Sequence, residues 1–141
     1  MDSIMSQSVL EIKMSFLGTE KVLKGELRRI DAPLTIQKLI DKSPFVARSR
    51  ANIGRPKQYW MVLVDIKKGL EVDPYQDYEK GDILYCPRQD GIYIVFDGKP
   101  DFNYPVFRLG EVTEGLDSFD GMRNGTNAKI EIQDISEDVL E

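Results

Sequence analysis

Hydrophobic and polar positions alternate from the first ordered-looking stretch of this chain. Leu10, Ile12, Met14 and Phe16 are separated by Glu11, Lys13 and Ser15, the period of two expected of a strand with one buried face. Gly18-Thr19 turns the chain into a second strand, roughly Val22 to Ile30, whose Lys24, Glu26, Arg28 and Arg29 form a solvated face. The pattern then changes character. Tyr59 to Ile66 and Ile92 to Phe96 are apolar at nearly every position, and a strand of that kind is covered on both faces, as in a sandwich or a closed barrel. The second of these runs belongs to a hairpin that starts at Gly81 and turns at Asp90-Gly91, a pair suited to the positive φ of a tight connection; Asp97-Gly98 and Pro100 end it. Further strands are expected over Val106 to Thr113 and Ala128 to Ile135.

Helical spacing occurs twice. Pro33 stands in a first turn ahead of Ile36, Leu39 and Ile40, and Pro44 stops the helix. Leu116, Phe119 and Met122 share one side of a second short helix between Gly115 and Met122. About eight short strands with two short helices make an all-β fold, a closed barrel capped at its ends. The length of 141 residues suits one domain, 1–141, with flexible ends at Met1 to Gln7 and Ser136 to Glu141.

Composition narrows the chemistry. With 24 acidic against 19 basic residues the net charge is -5, which argues against nucleic acid as a partner. The cations gather between Val46 and Lys57, where Arg48, Arg50, Arg55 and Lys57 read as a solvated connector or, alternatively, as a clamp for an acidic ligand. Histidine is absent, removing the usual base near neutral pH and the commonest metal ligand, so no metal and no cofactor is expected. The lone Cys86 has no partner for an internal disulfide, which suits a reducing compartment, and on a strand it reads as a small core hydrophobe. No apolar run has the length of a membrane span, and the first ten residues lack the features of a signal peptide. The expectation is a cytoplasmic protein with no membrane association; a homodimer stays open.

The order of these elements, with Phe107 to Leu116 similar to a cyclophilin Val-Phe-Gly run and Leu34 to Leu39 similar to that family's first helix, resembles the cyclophilins over nearly the whole chain. Gly81 to Pro87 followed by Phe96 to Pro100 resembles more closely the small prokaryotic cyclophilin-like domains, a group without an established activity. The resemblance implies a closed eight-stranded cyclophilin-like barrel. It also implies a site, from which this chain departs: Met61 stands where the family has its arginine, Tyr93 where it has its glutamine, and only Phe102 and Tyr104 occupy the loop that would present tryptophan and histidine. No catalytic residue is therefore assigned.

What the resemblance leaves is a groove on the barrel face that takes a peptide or small molecule. Strand alternation sends Trp60, Val62, Ile92 and Ile94 inward and Met61, Tyr93 and Val95 outward, with Arg88, Phe102 and Tyr104 above them as the rest of the expected ligand site. Two enzymatic alternatives follow from the resemblance. One is a prolyl isomerase with a rewired site. The other is a subunit of an oxoprolinase- or allophanate hydrolase-like assembly.

Overall fold

A computed structural model describes residues 9–135; the ends expected to be flexible, Met1 to Gln7 and Ser136 to Glu141, lie outside the described residues. The strands are β1 (Val9–Phe16), β2 (Val22–Arg28), β3 (Phe45–Ala51), β4 (Tyr59–Leu63), β5 (Asp82–Cys86), β6 (Gly91–Val95), β7 (Phe107–Glu114) and β8 (Asn127–Asp134). One α-helix, α1 (Pro33–Lys42), follows β2, and 3-10 turns cover Arg29–Asp31 and Leu116–Phe119. All neighbouring strands are antiparallel, and the sheet closes in the order β1-β2-β7-β5-β6-β4-β3-β8. Closure pairs every edge that such apolar strands would otherwise leave open.

The period-two pattern fills the interior. Leu10, Ile12, Met14 and Phe16 of β1 meet Trp60 and Val62, Ile83 and Tyr85, Ile92 and Ile94, and Phe107 and Leu109 in one buried cluster. Ile36 and Leu39 of α1 close the end of the barrel at which the β5–β6 hairpin turns. Phe119 closes the other, stacked on Trp60 at 5.2 Å and edge-on to Phe16 at 5.7 Å. At Gly110 in β7 the neighbouring strand β2 comes so close that a Cβ would collide with the Glu26 carbonyl, so only glycine fits.

Two expectations need correction. The helix expected from Gly115 to Met122 is a single 3-10 turn, Leu116–Phe119. Its apolar residues recur every three positions, which matches three residues per turn better than 3.6. The stretch from Val46 onward is not a connector throughout, because Phe45–Ala51 is a strand. Its inward residues are Ala47, Ser49 and Ala51, too small to give a hydrophobic period; Ala51 sits opposite the bulky Trp60.

Helix α1 lacks a capping side chain of its own, since Ala32 precedes it. Glu71, from the segment after β4, supplies the cap: its carboxylate accepts the N–H groups of Leu34 (2.8 Å) and Thr35 (2.7 Å) and the Thr35 hydroxyl (2.7 Å). Burial alone would raise the Glu71 pKa, but these hydrogen bonds and the charge of Lys68 outweigh it and lower it below the ordinary value. A depressed carboxylate stabilises the fold at pH values above its unfolded pKa and loses that contribution as pH falls through its folded pKa. Thermal unfolding followed against pH is therefore expected to show a smaller acid-induced loss of stability in Glu71→Gln than in the wild type; parallel curves would remove Glu71 from the cap.

Candidate ligand cleft on the outer face of the barrel

The strand directions create this cleft. β4 and β5 both lie antiparallel to β6 and so run the same way, and the 18 residues from Val64 to Gly81 must travel the length of the barrel to join them. β6 and β7 are both antiparallel to β5, so the segment from Phe96 to Val106 must travel back. Both crossings lie outside the sheet. The first is tied to the start of β7 by the Tyr75 N–H donating to the Val106 carbonyl at 2.7 Å.

Under these crossings the outward residues of β5 and β6 form a second buried cluster: Leu84, Cys86, Tyr93 and Val95, with Val106. Met61, Tyr59, Tyr75, Tyr78 and Phe102 pack against it. Phe102 is the keystone of this roof, its ring 4.7 Å from those of Tyr59 and Tyr78 and 5.4 Å from Tyr93. Tyr59 and Tyr93 pack at 4.8 Å.

The six residues expected at a ligand site thus share one face of the barrel, at different depths. Tyr93 and Val95 are buried at 4% and 0% exposure, Met61 and Phe102 are half-buried, and Arg88 and Tyr104 are exposed. Arg88 leaves the β5–β6 turn and places its guanidinium 5.3 Å from the Tyr104 ring centre, a cation–π arrangement at the lip. Tyr59, Tyr75 and Tyr78 join them without having been singled out. Tyr75 and Tyr78 stand in a segment without a strand or helical period, and only its path over the sheet brings them here.

A cavity of about 390 Å³ lies on one side of Tyr75 and one of about 490 Å³ on the other. The larger runs between the two crossings, with Pro74, Tyr75, Tyr78, Phe102, Tyr104 and Pro105 in its walls and Gln76, Asp101 and Asn103 as polar groups. The smaller is acidic, with Asp31, Asp73, Glu79 and Asp82 around Arg108. Arg108 is held by Asp82 at 3.1 Å, with Glu111 at 3.8 Å and Asp31 at 4.0 Å. Burial works against its charged form, but the Asp82 hydrogen bond and the surrounding carboxylates outweigh this and raise its pKa. The smaller cavity is thus built around an internal cation.

The electrostatics of the larger region favour contact over proton transfer. Burial, followed by a hydrogen bond to Cys86, pushes the Tyr93 hydroxyl well above the usual phenol range. Burial also raises Tyr59 and Tyr75. These hydroxyls stay protonated near neutral pH, so the walls offer π faces, neutral donors and one exposed guanidinium. Among the described residues no group of three or more carboxylate or thiol side chains is placed to hold a metal ion.

Fold and cleft together define a small closed eight-stranded antiparallel barrel with a roofed aromatic outer face. A similar fold occurs in a hypothetical protein from Archaeoglobus fulgidus, whose solution structure superimposes with a TM-score of 0.68 at 18% identity, over 86% of this chain and 93% of that one. No family model matches the chain, and no curated protein does.

Proposed function

We propose that this chain is a cyclophilin-like domain that works as a binding module, taking a peptide or small molecule in the cleft between the two crossing segments. The observation that carries the reading is the cleft itself, an open space of about 490 Å³ walled by four aromatic rings and two prolines. Spaces of this size are typical of ligand sites, and here Gln76, Asp101 and Asn103 set polar groups among the rings to orient a ligand. Rigid aromatic walls also suit extended, proline-containing peptides, which dock between such rings at low entropic cost. Of the six expected residues Phe102 and Tyr104 line the space itself, Tyr93 and Val95 support its walls from beneath without lining it, and Arg88 stands beside it against Tyr104. The order of strands around the Gly81–Val95 hairpin supports the cyclophilin-like assignment, and the net charge of -5 agrees with a partner other than nucleic acid.

A thermal-shift screen of metabolites and proline-containing peptides tests this. Tyr104→Ala is expected to weaken any hit by about 1–3 kcal/mol, the cost of truncating an aromatic anchor, with an unchanged Tm because the side chain is exposed. A hit indifferent to Tyr104, or prolyl isomerase turnover in a protease-coupled assay, would overturn the reading as a binding module at this cleft.

A further inference from the structure

On the other side of β4 lies a second, chemically opposite hollow. Arg48 and Arg50 project from the outer face of β3, two residues apart and both exposed. Across the strand pairings Arg48 faces Asn127 and Arg50 faces Met61, and the 123–126 turn folds over the same surface. The resulting space, about 370 Å³, is lined by Arg48, Ser49, Arg50, Leu63, Asn124 and Gly125. No carboxylate is among them, in a protein with 24 acidic residues.

The donors of this hollow are preset. The Asn124 Oδ1 accepts the Ala51 N–H at 2.9 Å, which fixes the amide and leaves its Nδ2 as a donor. Gly125 donates its N–H to the Ser49 carbonyl at 2.7 Å and holds φ at +90°, a conformation that favours glycine. A Cβ at Gly125 would stand 3.2 Å from the Arg48 Nη2, so the bare α-carbon lets the guanidinium lie against the turn. Arg50 uses its Nε on the neighbouring Ala51 carbonyl at 3.3 Å, which orients its fork. Among the described residues, no carboxylate forms an ion pair with Arg48, Arg50 or Arg123.

We infer that this hollow is a binding site for a small organic phosphate monoester. Two guanidinium forks and a side-chain amide match the acceptors of a phosphate, for which arginine is favoured over lysine because it can bond two oxygens at once. Leu63, 42% exposed, supplies an apolar wall, and the space is of the size found for small-molecule ligands rather than for a bare ion. The site is independent of the aromatic cleft and stands whether or not that cleft binds anything.

The test uses the full chain, with phenyl phosphate, inorganic phosphate and phenol as probes, followed by amide chemical shifts and by calorimetry at low salt. Phenyl phosphate is expected to give saturable shifts confined to residues 48–50, 63 and 123–126, with inorganic phosphate at least about tenfold weaker and phenol silent. Arg48→Gln with Arg50→Gln should lower the phenyl phosphate affinity at least about tenfold. Arg55→Gln with Lys57→Gln, on the loop outside the hollow, should leave it unchanged. Both arginines are exposed, so an unaltered Tm will confirm that the variant is folded. Shifts located elsewhere, or an affinity indifferent to the double arginine variant, would overturn the site. Equal affinity for phenyl phosphate and inorganic phosphate would overturn its assignment to an ester.

Discussion

Replacing Asp90 with alanine is expected to destabilise the protein by about 2–4 kcal/mol, the sum expected when several hydrogen-bonding groups lose one shared partner. Asp90 turns the β5–β6 hairpin, and its carboxylate also collects bonds from two other places. It accepts the Ile66 N–H at 3.1 Å, the Lys67 N–H at 3.0 Å and the Tyr85 hydroxyl at 2.7 Å. Tyr85 is fully buried, so its hydroxyl would lose this acceptor inside the barrel; burial, followed by the Asp90 bond, already raises its pKa far above that of a free phenol. Alanine would in addition be strained at the φ of +55° that Asp90 adopts. Asparagine tolerates that conformation and keeps one acceptor oxygen, so Asp90→Asn should lose roughly half as much. Urea unfolding of the two variants measures both quantities. An Asp90→Ala protein within about 0.5 kcal/mol of the wild type would show that the three donors find water or another acceptor.

The second large effect concerns neighbouring residues on opposite faces of β6. Ile94→Ala is expected to cost about 2–5 kcal/mol through a cavity in the barrel interior. Tyr93→Ala is expected to cost nearly as much, about 2–4 kcal/mol, although the side chain points out of the barrel, because it carries the floor under Phe102 and Tyr59. Amide exchange separates the two. Loss of Ile94 should speed exchange throughout the sheet, whereas loss of Tyr93 should act first on residues 74–78 and 101–106. If Tyr93→Ala left both stability and exchange in those segments unchanged, the roof would not rest on Tyr93, and the cleft above it would lack a fixed wall.

These two residues also mark how far the chain could be read in advance. Alternation along β4 and β6 correctly divided Trp60, Val62, Ile92 and Ile94 from Met61, Tyr93 and Val95, because side chains of a strand must point to opposite faces. The uninterrupted apolarity of Ile92 to Phe96 further required both faces of β6 to be covered, and both are. Asp90 was recognisable as a turn residue from Asp-Gly. Its carboxylate as an acceptor for Ile66, Lys67 and Tyr85 was not, since those partners are 24, 23 and 5 residues away and meet it only after closure. Glu71 is a similar case: a cap that begins 36 residues from the helix it serves leaves no local spacing to find. β3 was hidden for another reason. Its inward residues Ala47, Ser49 and Ala51 are small or polar, so the strand carries no hydrophobic period of its own.

What the sequence by itself determined, then, is every strand but β3, the α-helix with its proline stop, and which side chains of β4 and β6 share a face, because each follows from periods of two or 3.6 residues and from backbone limits on glycine and proline. What only the tertiary structure decided is what lies over each face. The shared direction of β4 and β5, and of β6 and β7, forces two segments to cross the barrel from end to end, and their path buries Tyr93 and Val95, gathers Tyr75, Tyr78, Phe102 and Tyr104 around one cleft, and leaves Arg48 and Arg50 open beyond β4. Strand direction depends on pairings between residues far apart in the chain, and a local pattern of hydrophobic and polar positions carries no record of them.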